Sequence, residues 1–169
     1  ARWASPLRTL MGLAVLAAGL AGCTPHPAEN TVIYGLEAEN DAGWCLPEAQ
    51  LAIAGLQTTR AMFDPLTIPD ENGEYVPFLA KDVTSNDDFT EWTITLRKGV
   101  TFHDGTPLNA QVVKNNLDAS RAQYPGRSPL LQIFIYKDIA SVDVVDDLTV
   151  KVTTSVPWRA FPAFLNSSN

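Results

Sequence analysis

The sequence predicts a mixed α/β (α+β) fold, and two patterns within residues 92–117 carry that prediction. In residues 93–96, polar and apolar side chains alternate and β-branched residues dominate, which is typical of a half-buried strand. Further along the chain, Ala110, Val113 and Leu117 recur at helical spacing, which gives the predicted helix one apolar face. A strand followed by an amphipathic helix indicates a domain in which helix packs on sheet.

The connection between this strand and this helix consists of turn residues. Lys98-Gly99 ends the strand, residues 100–102 form a short extended piece, and His103-Asp104-Gly105-Thr106 makes a second tight turn. Pro107 fixes the backbone ahead of the helix, whose expected N-cap is Asn109. The local chemistry therefore predicts a strand, two turns and a capped helix, in that order.

Other elements are predicted by the same kinds of pattern on both sides of this segment. The expected elements are a strand at Thr31–Leu36, a helix at 47–60, a hairpin loop at 67–75, a turn at 86–88, and antiparallel strands at 139–145 and 148–152 joined by Asp146-Asp147. Pro65 disfavours the α region at Asp64, so the helix should end near Met62. The apolar run 130–136 fits either a helix or a strand.

Residues 1–22 are expected to form a lipoprotein signal peptide. Two arginines precede an apolar run at residues 10–20, which is shorter than the roughly 20 residues that a spanning helix needs. The alternatives, a transmembrane anchor or a buried core helix, fit this length and position less well. The run Leu-Ala-Gly-Cys at residues 20–23 resembles the lipobox of bacterial lipoproteins, which implies lipidation at Cys23 and a tether at residues 23–30.

The charge balance bears on the class of partner. The whole chain has 12 Lys and Arg and 19 Asp and Glu, a formal net charge of −7. The predicted signal peptide contains two of the arginines and no acid, so the remainder has ten basic and nineteen acidic residues, a formal charge of −9. A domain this acidic has no electrostatic footprint for nucleic acid. The sequence therefore predicts no nucleic-acid partner.

Residues 96–113 carry a specific resemblance. The run LRKGVTFHDGTPLNAQVV resembles the signature of bacterial family 5 solute-binding proteins, the peptide, oligopeptide and nickel receptors of ABC importers. The likeness extends over roughly residues 33–166, with agreeing runs at Phe63-Asp64-Pro65, Pro77–Ala80, Asp87–Phe89 and Trp92. The chain departs from the family at residues 109–112, where Asn-Ala-Gln-Val replaces Thr-Ala-Glu-Asp. The acid that would complete a capping box is therefore missing, which should weaken the helix start by about 1 kcal/mol or less.

The resemblance implies an incomplete fold of the type II periplasmic-binding-protein kind. Residues 31–60 would begin the first lobe, residues 61–157 would form the inserted small domain, and residues 158–169 would return toward the first lobe. Family members are several times longer and close two lobes over a ligand, so we expect this chain to be an N-terminal fragment or the product of a truncated gene. The aromatic side chains of the last segment are then expected to lack partners and to form an exposed patch.

The implied function is that of a substrate-binding lipoprotein that captures peptides or similar small solutes and passes them to ABC permease subunits. It would be a monomer held by its lipid in the periplasm or on the outer face of the cytoplasmic membrane. In the family the first strand leads into a loop at the ligand cleft, which makes Glu39, Asp41 and Trp44 the expected ligand-binding residues. The alternative for this loop is a solvated acidic segment with Trp44 as a packing anchor. The alternative for the protein is a surface lipoprotein with an interaction or scaffolding role and no transport ligand.

The sequence predicts no catalytic, metal or cofactor site. The two histidines, His26 and His103, are too few for a zinc site. No Gly-x-Ser-x-Gly elbow accompanies His103-Asp104, and turn geometry explains that pair better than a catalytic dyad does. No Gly-rich phosphate loop is present. Cys45 is either paired with a cysteine beyond Asn169 or a buried free thiol, and the sequence leaves both open.

Overall fold

The computed structural model describes residues 30–36, 53–125 and 132–166. The chain divides into two compact units, residues 1–35 and residues 36–169, and the described residues of the first contain neither helix nor strand. The elements of the second unit are α1 (Ile53–Met62), β1 (Thr67–Pro69), β2 (Tyr75–Pro77), β3 (Ala80–Ser85), β4 (Glu91–Leu96), α2 (Ala110–Ser120), α3 (Gln132–Tyr136), β5 (Ile139–Asp146), β6 (Thr149–Thr154) and a 3₁₀ helix (Phe161–Leu165). Among the described helices, none has the length and apolar character needed to cross a membrane.

Four antiparallel strands form the main sheet, in the order β3–β4–β6–β5. β4 lies in the interior of this sheet, where Ile94 pairs with Val83 of β3 on one side and with Val150 of β6 on the other. β1 and β2 form a separate two-stranded hairpin. The turn residues between 67 and 75 predicted that hairpin, and the structure confirms it.

One face of the main sheet and the apolar face of α2 form the core. Buried side chains occupy alternate positions of β4 from Trp92 onward, which confirms the predicted strand. α2 packs against β5 and β6 through the face that its helical spacing predicts. Burying each Val, Leu or Ile side chain stabilises the fold by about 1.5–3 kcal/mol. This gain holds the apolar face of α2 against the apolar face of the sheet. The residues buried in this layer are Trp92, Ile94, Leu96, Ala110, Val113, Leu117, Val142, Val150 and Val152.

The C-terminal aromatic segment, residues 158–165, completes the core at one end of the sheet. Phe161 is 0% exposed, and its ring centroid lies 5.5 Å from that of Trp92 and 5.3 Å from that of Trp158. The ring of Phe164 lies 5.0 Å from Trp158. Tilted and edge-on ring pairs at these distances add to the free energy gained by burial alone.

Within the described residues, both side-chain and backbone hydrogen bonds fix this segment to the rest of the unit, the backbone bonds being Leu66 N to Leu165 O at 3.2 Å and Trp158 N to Phe89 O at 2.8 Å. Tyr136 of α3 donates from its hydroxyl to the carbonyl of Phe164, and Thr67 of β1 donates from Oγ1 to the carbonyl of Pro162 at 2.7 Å. The prediction that the aromatic side chains of this segment lack partners and form an exposed patch is therefore wrong. The partners come from distant parts of the chain, and a five-residue 3₁₀ helix has no long periodic pattern that could predict them.

Two predicted extended segments are shorter or absent in the structure. Residues 31–36 are exposed and form no strand. The predicted strand at these residues is therefore wrong. The extended piece at 100–102 is reduced to a single bridge between Thr101 and Pro107, because the tight turn brings the chain back immediately.

The turn of the β5–β6 hairpin lies one residue later than predicted. Asp146 still pairs with Thr149, and its Oδ1 accepts a hydrogen bond from Leu148 N at 2.8 Å, so the two turn residues are Asp147 and Leu148. The undecided run before β5 forms the helix α3. α1 ends at Met62 as expected, whereas the predicted start of that helix lies outside the described residues. The proposed lobe and small-domain boundaries stay a prediction.

Candidate functional site

The centre of the resemblance forms an exposed turn at residues 101–107, here called the signature turn. Phe102 N donates to Thr106 O at 2.8 Å, and Gly105 N donates to Phe102 O at 2.9 Å. The φ of Gly105 is +84°, a left-handed value that glycine adopts at little cost. The predicted tight turn is thus confirmed, and the side chains along it face solvent.

Asp104 is bound within its own turn. Its Oδ1 accepts hydrogen bonds from Thr106 Oγ1 at 2.6 Å and from Thr106 N at 2.9 Å. The hydroxyl bond first, and then the backbone bond, hold the pKa of the Asp104 carboxyl below its ordinary value. The Asp104 carboxylate thus stabilises the turn, as the turn geometry of this run predicts.

The signature turn leads directly into a capped helix. Asn109 has extended backbone angles, and its Oδ1 accepts a hydrogen bond from Val112 N at 3.0 Å, which confirms the predicted N-cap. Ala110 N donates to Asp147 O at 2.8 Å and so ties the helix start to the β5–β6 turn. Val112 occupies the position where the family has an acid, and it packs against the core. An apolar contact therefore takes the place of the missing capping-box acid.

None of the residues expected to bind ligand or lipid lies in the described ranges. Glu39, Asp41, Trp44 and Cys23 all fall outside them, as does Cys45, so their roles stay predictions. In residues 30–36, 53–125 and 132–166, no group of three or more His, Cys, Asp and Glu side chains could hold a metal ion.

Comparison with known protein families identifies the family of this chain. The model of bacterial extracellular solute-binding proteins, family 5 Middle, matches residues 74–169, which is more than half of the chain. The chain belongs to this family. The matched range contains the signature turn, α2 and the whole β5–β6 hairpin. The predicted resemblance to family 5, expected over roughly residues 33–166, is therefore confirmed by a match to residues 74–169.

Curated family 5 relatives are similar to half of the chain. Glutathione-binding protein GsiB of Salmonella choleraesuis is 48% identical over 83 residues, which cover 49% of this chain and 16% of that protein. GsiB of Escherichia coli K12 is 43% identical over the same length. The aligned part of this chain therefore spans about a sixth of the length of these relatives.

Solved structures share the fold of the described unit. The Campylobacter jejuni NikZ structure in complex with Ni(L-His) has a TM-score of 0.56 and 32% identity, and the match covers 62% of this chain and 21% of NikZ. The Escherichia coli murein tripeptide binding protein MppA has a TM-score of 0.63 and 25% identity, covering 73% and 27% of the two chains. The predicted fold class, part of a type II periplasmic-binding-protein-like fold, is confirmed.

Proposed function

We propose that the whole protein carrying this segment captures a peptide-like solute outside the cytoplasm and delivers it to the permease of an ABC importer. The observation that carries this proposal is the family 5 match over residues 74–169. Two similar proteins support the peptide-like class, since one is named for glutathione, a tripeptide, and the other for murein tripeptide. In this reading the protein binds its solute without changing it covalently.

The ligand-binding residues in this proposal are Glu39, Asp41 and Trp44. Two carboxylates in a short loop supply charge-assisted acceptors for the α-ammonium group that glutathione and other peptides carry. A tryptophan beside them offers an apolar face on which the chain of a small peptide can pack. The exposed signature turn supplies no comparable set, because its carboxylate Asp104 is already bound to Thr106.

Lipidation at Cys23 is the second part of the proposal. A diacylglyceryl group carries two acyl chains, which is enough for stable attachment to a membrane without a spanning helix. The residues that follow Cys23 include two prolines and form a short polar tether. The protein would thereby stay close to its permease, on the periplasmic or outer face of the cytoplasmic membrane.

Ligand binding by the whole natural protein, after bound solute has been removed, tests the proposal. Glutathione, a murein-type tripeptide and Ni(L-His) are the probes, and binding is measured by calorimetry and by the rise in thermal midpoint that a specific ligand produces. We expect glutathione or the tripeptide to bind, and Trp44→Ala to weaken that binding at least about tenfold, with Phe102→Ala as the matched exposed aromatic control. If none of the three probes binds, the transport proposal fails and the interaction lipoprotein becomes the better reading.

A further inference from the structure

Among the strands of residues 53–125 and 132–166, β5 (Ile139–Asp146) lies at an edge of the main sheet, since β6 is the one described strand that pairs with it. The outer side of an edge strand presents backbone N–H and C=O groups that pair readily with a strand of another molecule. Native proteins therefore protect such edges with charged side chains, bulges or a covering element. The structure shows how this edge is protected.

Two basic side chains, one within α2 and one at its C-cap, bind carbonyl groups of β5. Lys114 Nζ donates to Val142 O at 2.7 Å, and Arg121 donates from a terminal guanidinium nitrogen to Ala140 O at 2.9 Å. An incoming strand would need the same two acceptors.

Asp118 holds both basic side chains in place from the same helix. Its Oδ2 lies 2.8 Å from Lys114 Nζ, and its Oδ1 lies 2.9 Å from the guanidinium of Arg121. The Asp118 and Arg121 side chains are 13% and 12% exposed, which makes this an ordered, partly buried cluster and not a pair of solvated surface charges. Asp118 is thus a positioning residue for the two groups that contact β5.

The opposite edge of the sheet has no equivalent arrangement. In the described part of the chain, residues 81–85 of β3 accept no hydrogen bond from a side chain of another element, whereas two such bonds reach β5. β5 carries register irregularities at Ala140 and Val145, which also interrupt a regular edge. β3 has an irregularity of its own at Lys81, so the two side-chain hydrogen bonds are what distinguish β5 from β3. Val144 and Val145 of β5 are 41% and 61% exposed.

We propose that Lys114, Asp118 and Arg121, here called the edge guard, prevent β5 of one copy from pairing with β5 of a second copy. A second copy is the occupant excluded, because two identical strands can pair about a two-fold axis and satisfy the same open carbonyls in both molecules. The exposed valines would be buried in that pairing, so the guard acts at the point where self-association would gain apolar contact. The device keeps copies of this protein separate when their local concentration is high.

The test replaces the two donors with a side chain of similar length and no charge. In the whole natural protein, the double variant Lys114→Met with Arg121→Met should self-associate, with a dissociation constant at least about tenfold lower than that of its control in sedimentation velocity. The control is Lys137→Met with Lys151→Met, which removes the same two charges from the exposed pairs with Asp138 and Glu91. Hydrogen exchange should show concentration-dependent protection within residues 139–146 of the double variant alone.

Two outcomes would overturn the proposal. One is a folded double variant, judged by its circular dichroism, that sediments as the control does at every concentration. The other is association that protects residues outside 139–146, such as β3, because the guarded edge would then not be the surface involved. If the double variant does not fold, the single variant Lys114→Met takes its place. It keeps the Arg121–Asp118 ion pair and frees the carbonyl of Val142. If this folded variant stays monomeric at high concentration, the proposal is also overturned.

Discussion

The signature turn is held by hydrogen bonds within itself, whereas the C-terminal aromatic segment is held by contacts with residues far away in the chain. In the turn, Asp104 and Thr106 bind each other and their side chains face solvent. In the segment, the bond between Thr67 and Pro162 joins residues 95 positions apart, and Phe161 is completely buried. One region is self-sufficient and the other connects β1, β4 and α3.

This difference separates two kinds of contribution to the molecule. A turn that satisfies its own polar groups keeps its shape with little help from the core, so its exposed side chains are available for contacts with other molecules. A segment that fills the end of the core contributes mainly to stability, and its loss exposes the aromatic side chain of Trp92. Substitutions in the aromatic segment should therefore change stability more than substitutions in the signature turn or at the cap of the helix that follows it.

Phe161→Ala should lower the free energy of unfolding by about 3–5 kcal/mol, because a large buried side chain is replaced by a cavity between Trp92 and Trp158. Urea denaturation measures the change. Phe102→Ala, in the signature turn, removes the same side chain from a position that is 44% exposed and should change stability by only about 0.5 kcal/mol. Equal effects of the two variants would contradict the contrast between the regions.

Tyr136 makes the attachment of the aromatic segment sensitive to alkaline pH. Burial raises the pKa of Tyr136 to about 12, against an ordinary value of 10.0. Below pH 10 the Tyr136 hydroxyl is protonated in the folded and the unfolded protein, and its contribution to the free energy of unfolding is fully present. Between pH 10 and about 12 the unfolded chain loses this proton while the folded protein keeps it. The free energy of unfolding therefore falls by about 2–3 kcal/mol over this range.

Comparison with Tyr136→Phe isolates this effect from other groups that titrate at high pH. The variant should lose about 1 kcal/mol at neutral pH, because the bond to the Phe164 carbonyl is gone, and its stability should fall less steeply above pH 10. The urea midpoint is measured against pH for the natural protein and for Tyr136→Phe. If the two midpoints fall in parallel between pH 10 and 12, the hydroxyl is not buried as described.

Asn109→Ala should destabilise the unit by about 1 kcal/mol, since Val112 N loses the acceptor that caps α2. Asn109→Ser is the matched control, because a serine hydroxyl can also cap, and it should retain most of the stability. Chemical denaturation of both variants measures the difference. An alanine variant as stable as the serine variant would mean that the contacts of the first helical turn with the core make the cap unnecessary.

Asp104→Ala should have the smallest effect, a slight lowering of the unfolding midpoint at neutral pH, because the turn loses its acceptor for Thr106. The lowered pKa of Asp104 contributes stability above the ordinary pKa of the group, and that contribution is lost as the pH falls through the folded-state value. Asp104→Asn keeps an acceptor and serves as control. An effect as large as that of Phe161→Ala would show that the turn is not a local structure.

Local features of this molecule could be predicted from its sequence, and long-range ones could not. The turn at 103–106 and the cap at Asn109 depend on residues a few positions apart, so their chemistry is visible in the sequence. The placement of Phe161 against Trp92 depends on which end of the sheet is still uncovered once the other elements have packed. No local pattern in the sequence shows this. The strand predicted at residues 31–36 is not formed. The expected ligand-binding loop lies outside the described residues, and its role stays a prediction.

Hydrogen exchange of the whole natural protein, with and without saturating glutathione, tests where the solute is captured. We propose that the loop with Glu39, Asp41 and Trp44 captures it and that the signature turn does not. We therefore expect ligand-dependent protection within residues 37–45 and unchanged exchange at residues 101–107. Protection at the signature turn, with none at residues 37–45, would contradict this proposal.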